Sequence, residues 1–467
     1  MSHGFRHNVG RIVPLAWPVL VGQLAVLGFA TVDVIMVARF AAADLAALAV
    51  GGAAYMTIFI GFMGVVMAVG PIVGQLFGAA QHAQAGRQVH QAVWVALGVS
   101  VLGCVLLAFP APFLSLARAS PEMGEKVRGY LLALAFSLPA SMLFAVYRGF
   151  NNAVSRPKAV MLLQLGGLAL KLPLSALLVF GQPAIGLPAL GVLGCGIATA
   201  LCMWAQLLAA AVILWRDPFY APFQVTGRRL DAPSRPALLA QLKLGIPIGA
   251  TILVEVTGFA FMALFIARIG TTEVAGHQVA MNLVSLLFMV PMAIGNASGT
   301  LVAQRIGAVD PEDARRLAWH SLALGMGVAG VMGCVVYLGR ELVVGLYTGD
   351  AVVVAAALPL ITWLVIFHLA DAVQAITAFV LRAYRIATVP VLIYVAALWG
   401  VGLGGGYLLA FNVGGAVPAA LQGAPGYWVA ATAGLVVAAG LLTAFMAWVL
   451  RRTTPAAQTA QARRPAV

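Results

Sequence analysis

Charge is what this chain has least of. Of its 467 residues only 9% are Asp, Glu, Lys or Arg, while 62% are hydrophobic. Soluble domains carry about 25% charged residues, so this composition belongs to a polytopic membrane protein. Cysteine is scarce too. Cys104, Cys195, Cys202 and Cys334 all lie in apolar segments, and they form neither a disulfide framework nor a metal-binding spacing. A nucleotide loop, an HExxH pair and Cys/His metal spacing are all missing, so neither an enzyme nor a cofactor is expected. The net charge of +13 comes from basic residues scattered between apolar runs. That pattern speaks for orientation in a bilayer and against nucleic acid as a partner. A cleavable signal peptide is not expected either: the first apolar run, Ile12 to Ala38, is too long for one and has no cleavage site.

What is there is a series of apolar runs long enough to cross a bilayer, which takes about 20 residues each. They predict twelve transmembrane helices near 12–38, 45–77, 89–115, 128–150, 159–180, 188–215, 241–268, 274–304, 317–340, 352–381, 387–411 and 427–450. With both termini cytoplasmic, 20 of the 27 Lys and Arg fall on the inner side and 6 on the outer, as the positive-inside rule requires. The longest polar connection, Arg216 to Pro236, holds Pro218, Pro222, Pro233 and Pro236 and divides the chain. The expected organisation is a six-helix lobe over 1–215, a cytoplasmic linker over 216–240, a second six-helix lobe over 241–452, and a disordered tail over 453–467.

The halves repeat. Shifting the chain by 229 residues pairs Pro18 with Pro247, Arg39 with Arg268, Met63 with Met292, Gln75 with Gln304 and Gly78 with Gly307; a shift of 234 pairs Arg148 with Arg382. Six spans per repeat is an even number, so the two lobes share one topology and are related by a pseudo-two-fold axis along the membrane normal. That is a transporter-like architecture.

Three acids lie inside spans: Asp33, Glu255 and Asp371. Glu255 is 12 residues from Lys243 and 13 from Arg268, or roughly 18 Å of helix from either flank. That is the middle of a hydrocarbon layer about 30 Å thick. Asp371 lies 11 residues before Arg382, at about the same depth. Phe259 shares the helix face of Glu255, His368 and Gln374 flank Asp371, and Gln278 in the eighth span joins them as a supporting polar residue. Asp33 is shallower, and Lys171 in the fifth span can neutralise it. An intramembrane acid is expensive and reads as a functional site, either exchanging protons or holding a monovalent cation. The competing reading is a hydrogen-bonded or ion-paired structural group. For His368 and His277 a structural role competes in the same way. Phe259, Phe261 and Met262 read as packing, with cation–π contact as the functional alternative.

LAWPVLVGQLAVLGFATVDVIMVARF in the first span, VEVTGFAFMALFIARIGTTEVAGHQVAMNLV in the seventh and eighth, and GLPALGVLGCGIATA before and within the sixth resemble the multidrug and toxic compound extrusion (MATE) family, in its NorM-type bacterial branch. The resemblance covers nearly the whole chain. It implies two six-helix lobes forming a V around a cavity open alternately to each side of a bacterial inner membrane. It also implies export of cationic amphipathic drugs in exchange for inward H⁺ or Na⁺, by a protein that works as a monomer. The family's cation-site acids match Glu255 and Asp371, which would hold a monovalent ion, and its first-span acid matches Asp33. Two positions depart. Phe367 stands where the family often has Tyr, and Lys171-Leu172-Pro173-Leu174-Ser175 replaces a motif resembling Asn-Ile-Pro-Leu-Asn. Both remove cation ligands and favour H⁺. A flippase for lipid-linked or polysaccharide precursors, and a non-transporting scaffold or receptor, are the alternatives.

Overall fold

The structure, a computed structural model, describes residues 4–116, 120–226 and 230–453. Arg118, Arg228, Arg229, Arg463 and Arg464 of the charge count lie outside them, as does the expected disordered tail beyond Thr453. Twelve helices are long and apolar enough to cross a membrane: α1 (Phe5–Phe40), α2 (Ala42–Gly78), α3 (His82–Ala108), α4 (Pro121–Ala153), α5 (Pro157–Phe180), α6 (Gly191–Arg216), α7 (Arg235–Ala267), α8 (Thr271–Gly307), α9 (Pro311–Leu338), α10 (Ala351–Ala383), α11 (Thr388–Ala410) and α12 (Ala424–Arg452). All twelve expected spans are present.

Most helices run past the limits expected from hydropathy, because polar caps sit beyond the apolar run. Ser120 Oγ accepts from Met123 N at 3.3 Å ahead of Pro121. Asp310 accepts from Asp313 N at 3.0 Å ahead of Pro311, and Asp350 from Val352 N at 2.8 Å. Each satisfies a donor that the first turn leaves free. Two short helices stand apart from the spans: Ala111–Leu116, most of which was expected to belong to the third span, and Arg340–Tyr347, which follows the ninth. Within α11, Val395–Gly404 is a π-helix.

The chain forms two compact units, Pro18–Gly249 and a second made of Met1–Trp17 with Ala250–Val467. The division therefore falls inside α1 and inside α7, within a few residues of the repeat-related prolines Pro18 and Pro247. Lipid is as apolar as leucine, so helices associate through close packing and hydrogen bonds more than through burial of greasy surface. In the Pro18–Gly249 unit α4 is the central helix, packed by α6, α3 and α2; Leu131, Leu138, Met142 and Phe150 are buried in its core. The first turns of α7 join this unit: a Cβ on Gly245 would lie 2.2 Å from Val65 O, so only glycine permits this approach to α2.

The linker also docks here. Asp217 pairs with Arg156 at 2.5 Å, the Arg156 guanidinium sits 3.8 Å above the Phe219 ring, and Tyr220 donates to Asn151 Oδ1 at 2.6 Å. Further on, Asp231 meets His90 at 3.1 Å and its carbonyl accepts from Trp94 Nε1 at 2.9 Å. The Tyr220 phenol, buried under this contact, is held above its ordinary pKa.

In the other unit α10 is central, packed by α8, α12 and α9. The start of α1 is tied to it. Asn8 Nδ2 donates to His320 Nδ1 at 2.8 Å, and Asp313 bridges Arg11 at 2.9 Å and Arg305 at 3.0 Å.

Candidate functional site

The unit that contains Ala250 onward holds Glu255 on α7 and Asp371 and Gln374 on α10. Gln374 Nε2 donates to Glu255 Oε1 at a long 3.4 Å, and Asp371 lies within electrostatic reach of Glu255. Asp371 is 3% exposed, and its Oδ1 has no hydrogen-bond partner among the described residues. A buried oxygen left this way costs free energy unless a proton or a cation meets it.

Beside Glu255 lies a cavity of about 20 Å³, lined by Gly258, Phe259, Met262, Leu398, Gly402 and Ala431 among others. That is room for one water or one small ion. The π-helical stretch of α11 supplies three lining residues, Leu398, Gly402 and Leu403. Gly434 makes it possible, since a Cβ there would lie 2.6 Å from Ala397 O. Trp399, also in the π-helix, donates through Nε1 to Val254 O at 3.0 Å and so braces the turn carrying Glu255. Phe259 packs on Phe367 at 5.9 Å between ring centroids, and Phe367 on Trp428 at 5.4 Å.

Of the residues singled out in the sequence, Glu255, Asp371, Gln374, Phe259 and Phe367 are brought together. His368 is fully buried on α10 and neither ring nitrogen has a partner among the described residues. His277 is buried and accepts from Trp428 Nε1 at 3.2 Å. Gln278 is exposed on α8. The sequence reading missed Trp399, Leu398, Leu403 and Ala431. The glycine-rich run GVGLGGG of α11 is a signal in the sequence that points to this stretch of backbone.

Asp33 lies in the other unit. Lys171 Nζ meets its Oδ1 at 2.7 Å and also donates to Cys195 O at 3.2 Å and to Thr199 Oγ1 at 2.5 Å. The contact with Asp33 is an ion pair, and the two hydrogen bonds fix the ammonium beside it. Lys171 is wholly buried. Asp33 lines a cavity of about 530 Å³ with Phe29, Tyr55, Phe59, Tyr130, Phe144 and Arg148 among its other walls. A volume in that range suits a drug-sized molecule. Among the described residues no group of His, Cys, Asp and Glu is arranged to hold a metal ion.

The MatE family model matches residues 18–177 and again 247–408, one match per half and starting at repeat-related positions. A probable multidrug resistance protein NorM from Aromatoleum aromaticum is 39% identical over 442 residues, covering 95% of this chain and 94% of that one. The multidrug resistance protein NorM of Aliivibrio fischeri is 32% identical, covering 97% of each. In fold, the chain is similar to the eukaryotic MATE transporter AtDTX14, with a TM-score of 0.83, 20% identity, and coverage of 97% and 99%.

Proposed function

Because the chain belongs to the MatE family of multidrug efflux transporters, we propose that it expels amphipathic drugs by antiport, driven by protons that enter through Glu255 and Asp371. As a family member it is a membrane transporter and not an enzyme, which removes the scaffold reading. The antiport, the cationic nature of the drugs, the inner-membrane orientation with both termini cytoplasmic and the choice of ion are our reading.

One observation carries it: two acids from different helices share a site with a cavity sized for one small ion, and one acid oxygen has no partner. Drug and ion would couple because each binds the two states of the transporter with unequal affinity, the only way in which a ligand moves a two-state equilibrium. The proton is favoured over Na⁺ by what surrounds the cavity. A dehydrated alkali ion needs several oxygens in place of its water, and Phe259, Met262, Leu398 and Leu403 offer no side-chain oxygen. The other in-span acid, Asp33, already holds an ammonium.

Reconstituted vesicles loaded with ethidium test this. An imposed pH gradient should drive efflux, an imposed Na⁺ gradient alone should not, and Glu255→Gln or Asp371→Asn should abolish the pH-driven component. Undiminished efflux in both variants would show that the coupling lies elsewhere.

A further inference from the structure

Resting on the efflux reading, we propose that the 530 Å³ cavity of the Pro18–Gly249 unit takes aromatic amphipaths that carry an acid group, and that Arg148 holds the acid. The cavity walls are largely apolar and aromatic, with Tyr55 and Phe59 stacked at 5.6 Å, which suits a planar ring system. Its charge is the unexpected part. Asp33, the one carboxylate in the wall, is matched by the buried ammonium of Lys171 at 2.7 Å. Arg148 is different. Its Nη2 rests 3.1 Å from Met63 Sδ, a weak, uncharged acceptor, and among the described residues no carboxylate lies within ion-pair distance of it. With one pair neutralised and one guanidinium left over, the cavity is electropositive at its Arg148 end.

The repeat shows where the two halves differ in charge. Arg382, the partner of Arg148, sits in a half that also carries Glu255 and Asp371, and Glu255 lies within its electrostatic reach. The matching positions in the first half are Val26 at the 229-residue shift and Ser137 at the 234-residue shift. Neither position carries an acid, while both halves carry the arginine. Val26 lines the cavity itself, so an apolar wall stands where the other half has its carboxylate. Arg148 is partly exposed; a guanidinium partly withdrawn from water with no anion beside it is costly, and a substrate carboxylate bound across its planar fork relieves that cost. A purely cationic drug gains nothing from it.

The experiment compares a fluoroquinolone acid, its methyl ester and ethidium for binding to the purified full chain. The acid should bind about tenfold or more tightly than the ester, as expected where a desolvated charge pair forms. Arg148→Gln should remove that preference while leaving ester and ethidium affinity within about twofold, and Arg148→Lys, which keeps the charge without the fork, should restore part of it. Equal binding of acid and ester by the wild type overturns the proposal, with no variant needed. Arg148→Gln weakening all three compounds alike overturns it too, since that marks a structural arginine. Ethidium efflux by wild-type vesicles is scored separately, so a failure to export would count against the efflux reading and leave the acid–ester ratio to judge Arg148.

Discussion

Lys171 Nζ and Asp33 Oδ1 meet at 2.7 Å inside a helical bundle, the lysine wholly buried and the aspartate 13% exposed by side chain. A charge pair at such a site is a weak source of net stability but is costly to break on one side only.

Lys171→Met should therefore destabilise the protein by about 3–5 kcal/mol, because it leaves the Asp33 carboxylate without its counter-charge. The double variant Asp33→Asn with Lys171→Met should recover most of that loss. Thermal unfolding in detergent reads both, and a double variant as unstable as Lys171→Met would contradict a simple pair.

Trp399→Phe keeps the aromatic packing and deletes the donor to Val254 O, a loss of about 1 kcal/mol in stability. Efflux at a fixed pH gradient should fall severalfold, with ethidium affinity little changed. A variant with normal coupling would limit the indole to packing.

The Asp313 bridge separates buried from exposed pairs. Asp313→Asn weakens contacts to Arg11 and Arg305 with Asp313 only 7% exposed, and should cost about 1–3 kcal/mol. Glu312→Gln removes an open i,i+4 pair with Arg316 and should cost under about 1 kcal/mol. Limited proteolysis ahead of Trp17 should speed up in the first variant alone.

Gly434→Ala places a Cβ 2.6 Å from Ala397 O, against the π-helix that walls the Glu255 cavity; the same change at Gly440 meets open space. Overpacking of this kind costs about 1–3 kcal/mol. Gly434→Ala should lower both melting temperature and pH-driven efflux, and Gly440→Ala neither.

The number of spans, the repeat and the meeting of Glu255 with Asp371 and Gln374 were all legible in the residues, because hydropathy and helix depth are properties of side chains counted along the chain. The π-helix at Val395–Gly404 was not. It is a change of backbone hydrogen-bond register, and no hydropathy pattern distinguishes it from an α-helix. The docked linker was read as a polar spacer, although Phe219, Tyr220 and Phe223 could have warned that a segment with three aromatics seeks a surface. The Arg148 imbalance was half visible: the repeat pairs it with Arg382, but only the folded unit shows that no carboxylate among the described residues lies within ion-pair distance of it.

The division of compact units inside α1 and α7 has a consequence for biosynthesis. The segment Met1–Trp17 leaves the ribosome first, yet the unit it completes is made otherwise of Ala250–Val467, the last part to be made. Asn8 and Arg11 must wait for His320 and Asp313, more than 300 residues later. The Pro18–Gly249 unit, by contrast, is complete once the start of α7 has emerged, so it can mature while the rest is still being translated. Fold completion thus runs from the middle of the chain outward, and the N-terminal turns are among the last to find their place.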